Sequence, residues 1–550
     1  MWRAESLMHS TMQAAPLSVA SILAHASGVH GAKQVISATE QGLRAASYRQ
    51  IGQRSAQLAL ALRRLGVTGD DRVATFQWNN QEHLEAYCAV PAMGAVLHTI
   101  NIRLSADQIR YVVNHAEDTV IIVDASLTPL LAPLLADAPS VRAVVVTGGG
   151  DAVELLRGNG PEVAHYDELL AAEGDEFPWP AVEETSAAAM CYTSGTTGDP
   201  KGVVYSHRSL YLHSMAACTT NGLGIGEGDR VLPIVPMFHA NAWGLPYAAL
   251  MAGADLLMPD RFLQAEAISR MVHEQRPTIA GAVPTIWNDV LSHTGRVGTC
   301  DFSSLRLVVC GGSSVPRALI EAFEERLGVT VLQAWGMTET SPLAAIARPS
   351  ATAPPERAQE MRTTQGRPVC GVQMRLVADD GSVLPHDGQA VGELEVRGPW
   401  VTGAYYQGAD DDKFHDGWLR TGDVGRIDAD GFLTLTDRAK DVIKSGGEWI
   451  SSVQLENILT GHPAVFEAAV IGVPDPKWQE RPLAAVVLQD GLHIAPQEIK
   501  SWLAQQVPRW WLPEQWTFIE QVPRTSVGKF DKKLLRAYHA DGKLSITTVR

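Results

Sequence analysis

Short apolar runs alternate with amphipathic stretches along most of the chain. VATFQW (73–78), VIIVDA (120–125), VRAVVVTG (141–148), RVLPIVP (230–236), ADLLMPD (254–260), LRLVVCGG (305–312) and VTVLQAWG (329–336) read as strands. Several end in Gly, Asn or Asp and lead into helical patterns such as 315-VPRALIEAFEERLG-328. Repeated strand–loop–helix units imply parallel sheets covered on both faces, with ligands at the loops beyond the strands' carboxyl ends. The most membrane-like run, 86-AYCAVPAMGAVLHTI-100, contains Pro91 and His98. It is shorter than the roughly 20 residues a bilayer-spanning helix needs, so it reads as a buried helix followed by a strand.

One internal echo stands out. Residues 65-LGVTGDDRVATF-76 and 223-LGIGEGDRVLPI-234 share the frame L-G-[VI]-x-x-x-D-R-V. Either it marks the same strand entry in two related α/β subdomains, or a Gly/Asp turn before a buried strand has converged. From about residue 390 the texture changes to short alternating strands with Gly turns, 391-VGELEVRG-398 and 431-GFLTLTDR-438, which predicts a small antiparallel unit. After Arg438, amphipathic stretches at 450–463 and 494–508 interleave with apolar runs at 465–474 and 483–488. The predicted fold is therefore α/β. Residues 1–437 form a large N-terminal domain of two parallel α/β subdomains plus a small β-barrel-like unit. Residues 438–550 form a smaller α+β C-terminal domain.

Composition narrows the function classes. Of 550 residues 45% are hydrophobic and 19% charged, which describes a globular protein with several cores. The net charge is -16 and no run of five or six Lys/Arg occurs, so nucleic acid is not an expected partner. The six cysteines form no CxxC pair or Cys/His cluster, which excludes an ordinary structural zinc site. They read as reduced thiols of a cytoplasmic protein. The N-terminus has no unbroken apolar segment of signal-peptide type, and Met8 or Met12 offers an alternative start.

The chemistry concentrates in 193-TSGTTGDPKG-202. It is not a Walker A loop, because Pro200 precedes Lys201 and Gly202 follows it. The physics of a phosphate loop still applies. Gly195 and Gly198 let the backbone turn its N–H groups inward. Thr193, Ser194, Thr196 and Thr197 add hydroxyl donors, and Lys201 adds a positive charge. The preceding 188-AAMCYT-193 is strand-like and feeds the loop.

This loop resembles the signature of the adenylate-forming superfamily, which includes acyl-CoA synthetases, luciferases and peptide-synthetase adenylation domains. Further matches follow in order: 236-PMFHANAWG-244, 311-GGSS-314, 333-QAWGMTET-340, 421-TGD-423, 437-DRAKDVIKSGGEW-449 and 523-PRTSVGK-529. The resemblance spans roughly residues 35 to 535. It implies a two-step reaction, in which a carboxylate attacks the α-phosphate of ATP·Mg²⁺ and a thiol, that of coenzyme A, then displaces AMP.

The same resemblance implies residue roles. Lys529 matches the catalytic lysine that bridges carboxylate and α-phosphate. Glu339 matches the magnesium-side glutamate, with Thr193 beside the metal, and Thr338 the phosphate-contacting threonine. Gly312, Ser313, Ser314, Trp335 and Gly336 resemble the adenine slot, although Ala is common in the family at the position of Ser314. Asp423 suits the ribose hydroxyls, and Arg438 resembles a ribose- or phosphate-contacting arginine. Lys444 resembles an α-phosphate-contacting lysine, and Lys440 a hinge about which a mobile C-terminal domain rotates. Gly446, Gly447 and Trp449 fall on the coenzyme A side. His239 lies where the family places a His or an aromatic near the acyl carboxylate, and Trp243 resembles an acyl gate.

The stretch 238-FHANAW-243 lacks the Asp that would bind an amino acid's ammonium, which disfavours amino-acid substrates. VPMFHANAWG, IKSGGEWISS, WQERPL and RWWLP resemble medium-chain fatty acyl-CoA synthetases and methylthiopropionate-CoA ligases. A medium-chain fatty acid is the leading expectation. Methylthiopropionate, other short-chain or aryl acids, and transfer to a carrier protein remain alternatives. A luciferase-type oxygenase is disfavoured by the C-terminal ITTVR, and a dead site by the presence of Lys529 and Glu339. Similar chains imply a homodimer.

Overall fold

The computed structural model describes residues 10–193, 199–298, 300–408, 410–438, 441, 443–445, 448–525 and 529–549; Asp411, Arg438, Glu448 and Trp449 are described by backbone alone. After a helix at Val19–Val29, the hairpin β1 (Gln34–Thr39) and β2 (Gly42–Ser47) joins a sheet completed much later. Next come β3 (Arg72–Phe76), β4 (Val96–Thr99), β5 (Asp118–Asp124), β6 (Ala143–Thr147), β7 (Glu162–His165), β8 (Ala187–Tyr192) and β9 (Gly202–Ser206), all in a first sheet. The second sheet takes β10 (Arg230–Pro233), β11 (Asp255–Met258), β12 (Ile279–Ala282), β13 (Leu307–Gly311), β14 (Val331–Gly336), β15 (Leu343–Ile346) and β16 (Arg367–Pro368). Central strands are buried throughout, as in Ala143–Thr147, because helices cover both faces of a parallel sheet. The run at 86–100 resolves as expected, into a buried helix Gln81–Ala92 and β4.

The two sheets repeat one topology. The first is ordered β7-β6-β5-β3-β4-β8-β9 and the second contains β14-β13-β12-β10-β11-β1-β2. In each the last pair is antiparallel and the others parallel. The echo L-G-[VI]-x-x-x-D-R-V enters β3 in one sheet and β10 in the other, which are equivalent strands. A second correspondence, 141-VRAVVVTGGG-150 with 305-LRLVVCGGSS-314, is evident once β6 and β13 are paired. Gly148 and Gly312 then coincide, with φ of 86° and 83°. Hydrogen bonds repeat too. The Arg142 guanidinium donates to Gly66 O (3.1 Å) and Asp71 (3.3 Å), and that of Arg306 to Gly224 O and Asp229 (both 2.7 Å). Thr119 and Thr278 hydroxyls donate to the Arg72 and Arg230 carbonyls.

The β-barrel-like unit is a five-stranded antiparallel sheet of β17 (Gln373–Val377), β18 (Gly392–Arg397), β19 (Phe414–His415), β20 (Trp418–Ile427) and β21 (Leu433–Arg438). The C-terminal portion carries a six-stranded sheet that includes β22 (Ile443–Ser445), β23 (Glu448–Ile450), β24 (Val465–Asp475) and β25 (Gln479–Leu488). Its helices Ser452–Thr460 and Pro496–Leu503 bury an apolar cluster around Trp516 and Leu455, and the helix Lys532–Ala540 packs Leu535 into a second cluster with Ile471 and Leu483. This part meets the rest through Asp437, which accepts from Ser452 N (2.7 Å), and through Asn457, which donates to the Ser314 hydroxyl (3.0 Å).

Candidate active site

Two adjoining cavities lie beyond the carboxyl ends of β8, β13 and β14. The first, about 160 Å³, is lined by Thr193, Lys201, His239, Trp243, Thr338, Glu339 and Lys529 among others. The second, about 520 Å³, is lined by Ser313, Ser314, Asp423 and Asp437 and by residues of the C-terminal portion. Gly312, Trp335, Gly336 and Lys529 line both.

The ends of the phosphate-type loop are clasped. Thr193 N donates to Lys201 O (2.9 Å), and Lys201 N to the Thr193 hydroxyl (3.1 Å). Ser194, Gly195, Thr196 and Thr197 lie outside the described residues. The Lys201 ammonium pairs with Asp410 and lies over the Tyr405 ring at 5.3 Å. Burial and neighbouring Lys413 lower its pKa.

Thr338 and Glu339 form one turn of 3₁₀ helix directly after β14, and both are buried. Glu339 Oε1 accepts from the Tyr405 hydroxyl at 2.5 Å, and Thr338 O from the Tyr205 hydroxyl at 2.7 Å. Gly336, just before this turn, has no substitute: an added Cβ would lie 1.8 Å from Pro342 O. Trp335 Nε1 donates to Asp423 Oδ2 at 3.0 Å, so the adenine-slot aromatic and the ribose carboxylate expected from sequence form one unit. Arg438 pairs with Asp423 across β20 and β21.

The stretch 236–244 arrives by an unusual route. Ala240, Asn241, Ala242, Trp243 and Gly244 all have positive φ, from 42° to 72°. Left-handed backbone costs roughly 1–2 kcal/mol per non-glycine residue, so surrounding bonds must hold the turn. Asn79 pins the segment leading into it, donating to Pro233 O (2.8 Å) and Val235 O (2.9 Å) and accepting from Met237 N (2.7 Å). The Asn241 side-chain Oδ1 accepts from Cys191 Sγ at 3.2 Å. Trp243 is thereby laid beside Gly281 and Gly312, whose added Cβ atoms would be 3.7 and 3.8 Å from its ring. Burial, with Lys529 and Arg103 nearby, pushes His239 down to about 3. It is therefore a neutral imidazole near pH 7 that can donate or accept a hydrogen bond.

Lys529 reaches the site from a loop closed on itself, where Thr525 N donates to Lys529 O at 2.8 Å and Lys529 N to the Thr525 hydroxyl at 3.2 Å. Not every expected residue converges. Lys444 is exposed on β22, its backbone N donating to Glu480, and lines neither cavity. Lys440, Gly446 and Gly447 lie outside the described residues, and Trp449 is placed only by backbone in β23. Tyr405 and Lys413 line the first cavity and were not anticipated. Their only sequence signal was proximity to the TGD motif. Among the described residues no group of three or more His, Cys, Asp or Glu could hold a metal ion, and no helix is long and apolar enough to cross a membrane.

The model for the family described as "AMP-binding enzyme" matches residues 24–406, and that for its C-terminal domain matches 454–529. The chain belongs to the AMP-binding enzyme family. This AMP-binding enzyme is 43% identical over 538 residues to a 3-methylmercaptopropionyl-CoA ligase of Ruegeria pomeroyi, covering 97% of this chain and 99% of that one. It is 42% identical to a medium-chain-fatty-acid–CoA ligase of Ectopseudomonas oleovorans, with 96% of each chain covered. Among solved structures, an anthranilate CoA ligase in complex with anthranoyl-AMP matches with a TM-score of 0.87 and 25% identity over 97% of this chain and all of the other. The AMP-binding enzyme described here is accordingly an ATP-dependent acyl-CoA ligase.

Proposed function

We propose that this ligase activates a short- to medium-chain aliphatic acid, straight-chain or thioether, at the cavity between His239, Trp243 and Lys529. The observation that carries the reading is that Lys529, brought in by the C-terminal portion, shares one cavity with Lys201, Glu339 and His239. Two anions must approach in the first half-reaction, and cations placed where their charge gathers lower that barrier. The acid's carboxylate oxygen attacks the α-phosphorus and pyrophosphate leaves. Lys529 neutralises the carboxylate and the α-phosphoryl oxygens, and Lys201 with the Thr193 hydroxyl holds the leaving phosphates. Trp335 and Gly312 flank adenine while Asp423 takes the ribose hydroxyls. His239, kept neutral by burial, orients the carboxylate and does not abstract a proton.

A divalent cation fits the donor set. Mg²⁺ prefers one or two carboxylates plus phosphate oxygens and water to an all-protein cage, and Glu339 is a buried carboxylate facing the cavity. When bound, Mg²⁺ offsets phosphate charge. In the second half-reaction the coenzyme A thiolate attacks the adenylate carbonyl and AMP leaves. Lys444 lies away from the cavities while Lys529 lines them, which suits a C-terminal domain beginning near residue 438 that turns about Lys440 between steps and brings Gly446, Gly447 and Trp449 to the thiol. Free coenzyme A is favoured over a carrier protein because the named relatives are CoA ligases.

The test is to follow pyrophosphate release and coenzyme A thiol loss together across straight-chain acids and methylthiopropionate, with Lys529→Ala beside the native chain. Both signals are expected, and the variant should lose at least about a hundredfold in pyrophosphate release. Pyrophosphate without thiol loss would move the acceptor to a carrier protein. Neither signal with any acid would refute the aliphatic reading.

A further inference from the structure

The first cavity has a chemical end and a blind end, and its lining reveals what closes the blind end. Gly311 and Val309 of β13 both face it, whereas Leu307, next on the same face, does not. The cavity therefore descends along β13 from its carboxyl end and stops between Val309 and Leu307. Two residues of parallel strand span about 7 Å. Leu223 is the lining residue that comes from the opposite edge of the sheet. It lies seven residues before β10 begins and is 2% exposed.

The loop carrying Leu223 is fixed from both sides. Leu223 N and Gly224 N both donate to Ala217 O (3.0 Å each). The preceding carbonyl, Gly222 O, accepts from Arg348 Nη2 (2.9 Å), and the carbonyl after the side chain's neighbour, Gly224 O, accepts from Arg306 Nη2 (2.7 Å). The Arg306 clamp is scaffold, because Arg142 makes the same pair of bonds in the first sheet. Leu65, the counterpart of Leu223, packs against the same apolar cluster that contains Leu223; the difference is that Leu223 also lines the cavity and Leu65 does not.

We propose that Leu223 is the floor of the acyl pocket and sets the longest acid the enzyme takes. This rests on the reading of the cavity as the acyl site. An extended chain advances about 1.3 Å per bond, so 7 Å accommodates roughly five methylenes above the Leu223 side chain.

The test measures kcat/KM for thioester formation with straight-chain acids of roughly two to twelve carbons, in the native enzyme, Leu223→Ala, Leu223→Phe and Trp243→Ala. Each buried methylene is worth roughly fourfold in affinity. Leu223→Ala should move the optimum about two carbons longer and raise the ratio of long to short acids by about tenfold or more. Leu223→Phe should move it shorter by a similar factor. If Leu223→Ala is too unstable to assay, Leu223→Phe decides alone: a shorter optimum supports the floor, and an unchanged profile overturns it. If Trp243→Ala moves the optimum while neither Leu223 variant does, the acyl site stands and the floor lies elsewhere. If none of the three moves it, the acyl-site reading falls as well.

Discussion

Replacing Tyr405 by Phe tests whether Glu339 is held in place for its task. Only a hydroxyl is removed. The ring stays under Lys201 and Lys413, which approach its centre at 5.3 and 5.9 Å, so both cation contacts survive. What is lost is the 2.5 Å bond to Glu339 Oε1, in a place where Tyr405 is 4% and Glu339 5% exposed. A hydrogen bond to a charged group contributes about 1.5–3 kcal/mol, and water has little room to replace it here. That corresponds to roughly ten- to a hundredfold in any step requiring the carboxylate in its present position. If Glu339 faces Mg²⁺, the loss should appear as a rise of that size in the Mg²⁺ concentration giving half-maximal pyrophosphate exchange. The KM for coenzyme A, which enters after this step, should change by less than about twofold. The assay is pyrophosphate exchange titrated with Mg²⁺ at saturating ATP and acid. A Mg²⁺ dependence that coincides with the native one, in a variant of unchanged melting temperature, would refute the reasoning.

Two predictions concern pH. Burial pushes His83, His207 and His213 down to about 4 and His239 to about 3, against about 6.5 in an unfolded chain. Between pH 6.5 and 4 the unfolded chain therefore binds more protons, so stability present above pH 6.5 is lost as pH falls, at most by roughly 14 kcal/mol for the four together; urea midpoints should fall steeply over that window, and a flat profile would contradict it. Asp260 moves oppositely. Burial raises it from its ordinary value of 3.8 to about 6, so stability present below the unfolded value is lost as pH rises through 6. Its φ of 53° also suits Asn. Asp260→Asn should stabilise by about 1–2 kcal/mol at pH 8 and by nearly nothing at pH 4, read from denaturant unfolding at the two pH values.

The fold was legible because parallel strands buried on both faces announce themselves as apolar runs, and each run named above contains an observed strand. The echo before β3 and β10 pointed to a duplication, but its second half, at β6 and β13, shared too few identities to be seen without the strand order. The phosphate-loop ends, Glu339, Asp423 and Lys529 were singled out by the motifs that resemble the family, and all of them line the two adjoining cavities. The left-handed turn at 240–244 was not: Ala-Asn-Ala-Trp has no preference for positive φ beyond Asn241, and the segment is held by residues distant in sequence, Asn79 ahead of the turn and Cys191 within it. Tyr405 escaped for a similar reason, since a loop aromatic has no period. Lys444 stands apart because it is exposed on β22 and lines neither cavity, a placement set by the packing of the C-terminal sheet that no local pattern encodes.

Strand β13 separates two kinds of selection. Its carboxyl end carries Gly312, which lines both cavities, and its opposite end begins after Arg306, which holds the loop of Leu223. A substitution at Leu223 alters which acid fits without disturbing any group that meets ATP. A descendant could thus adopt a new fuel in one step and keep its chemistry intact. Such an arrangement lets one ancestral machine diversify into ligases of many acids, with the reaction inherited whole and the diet rewritten at the far edge of the sheet.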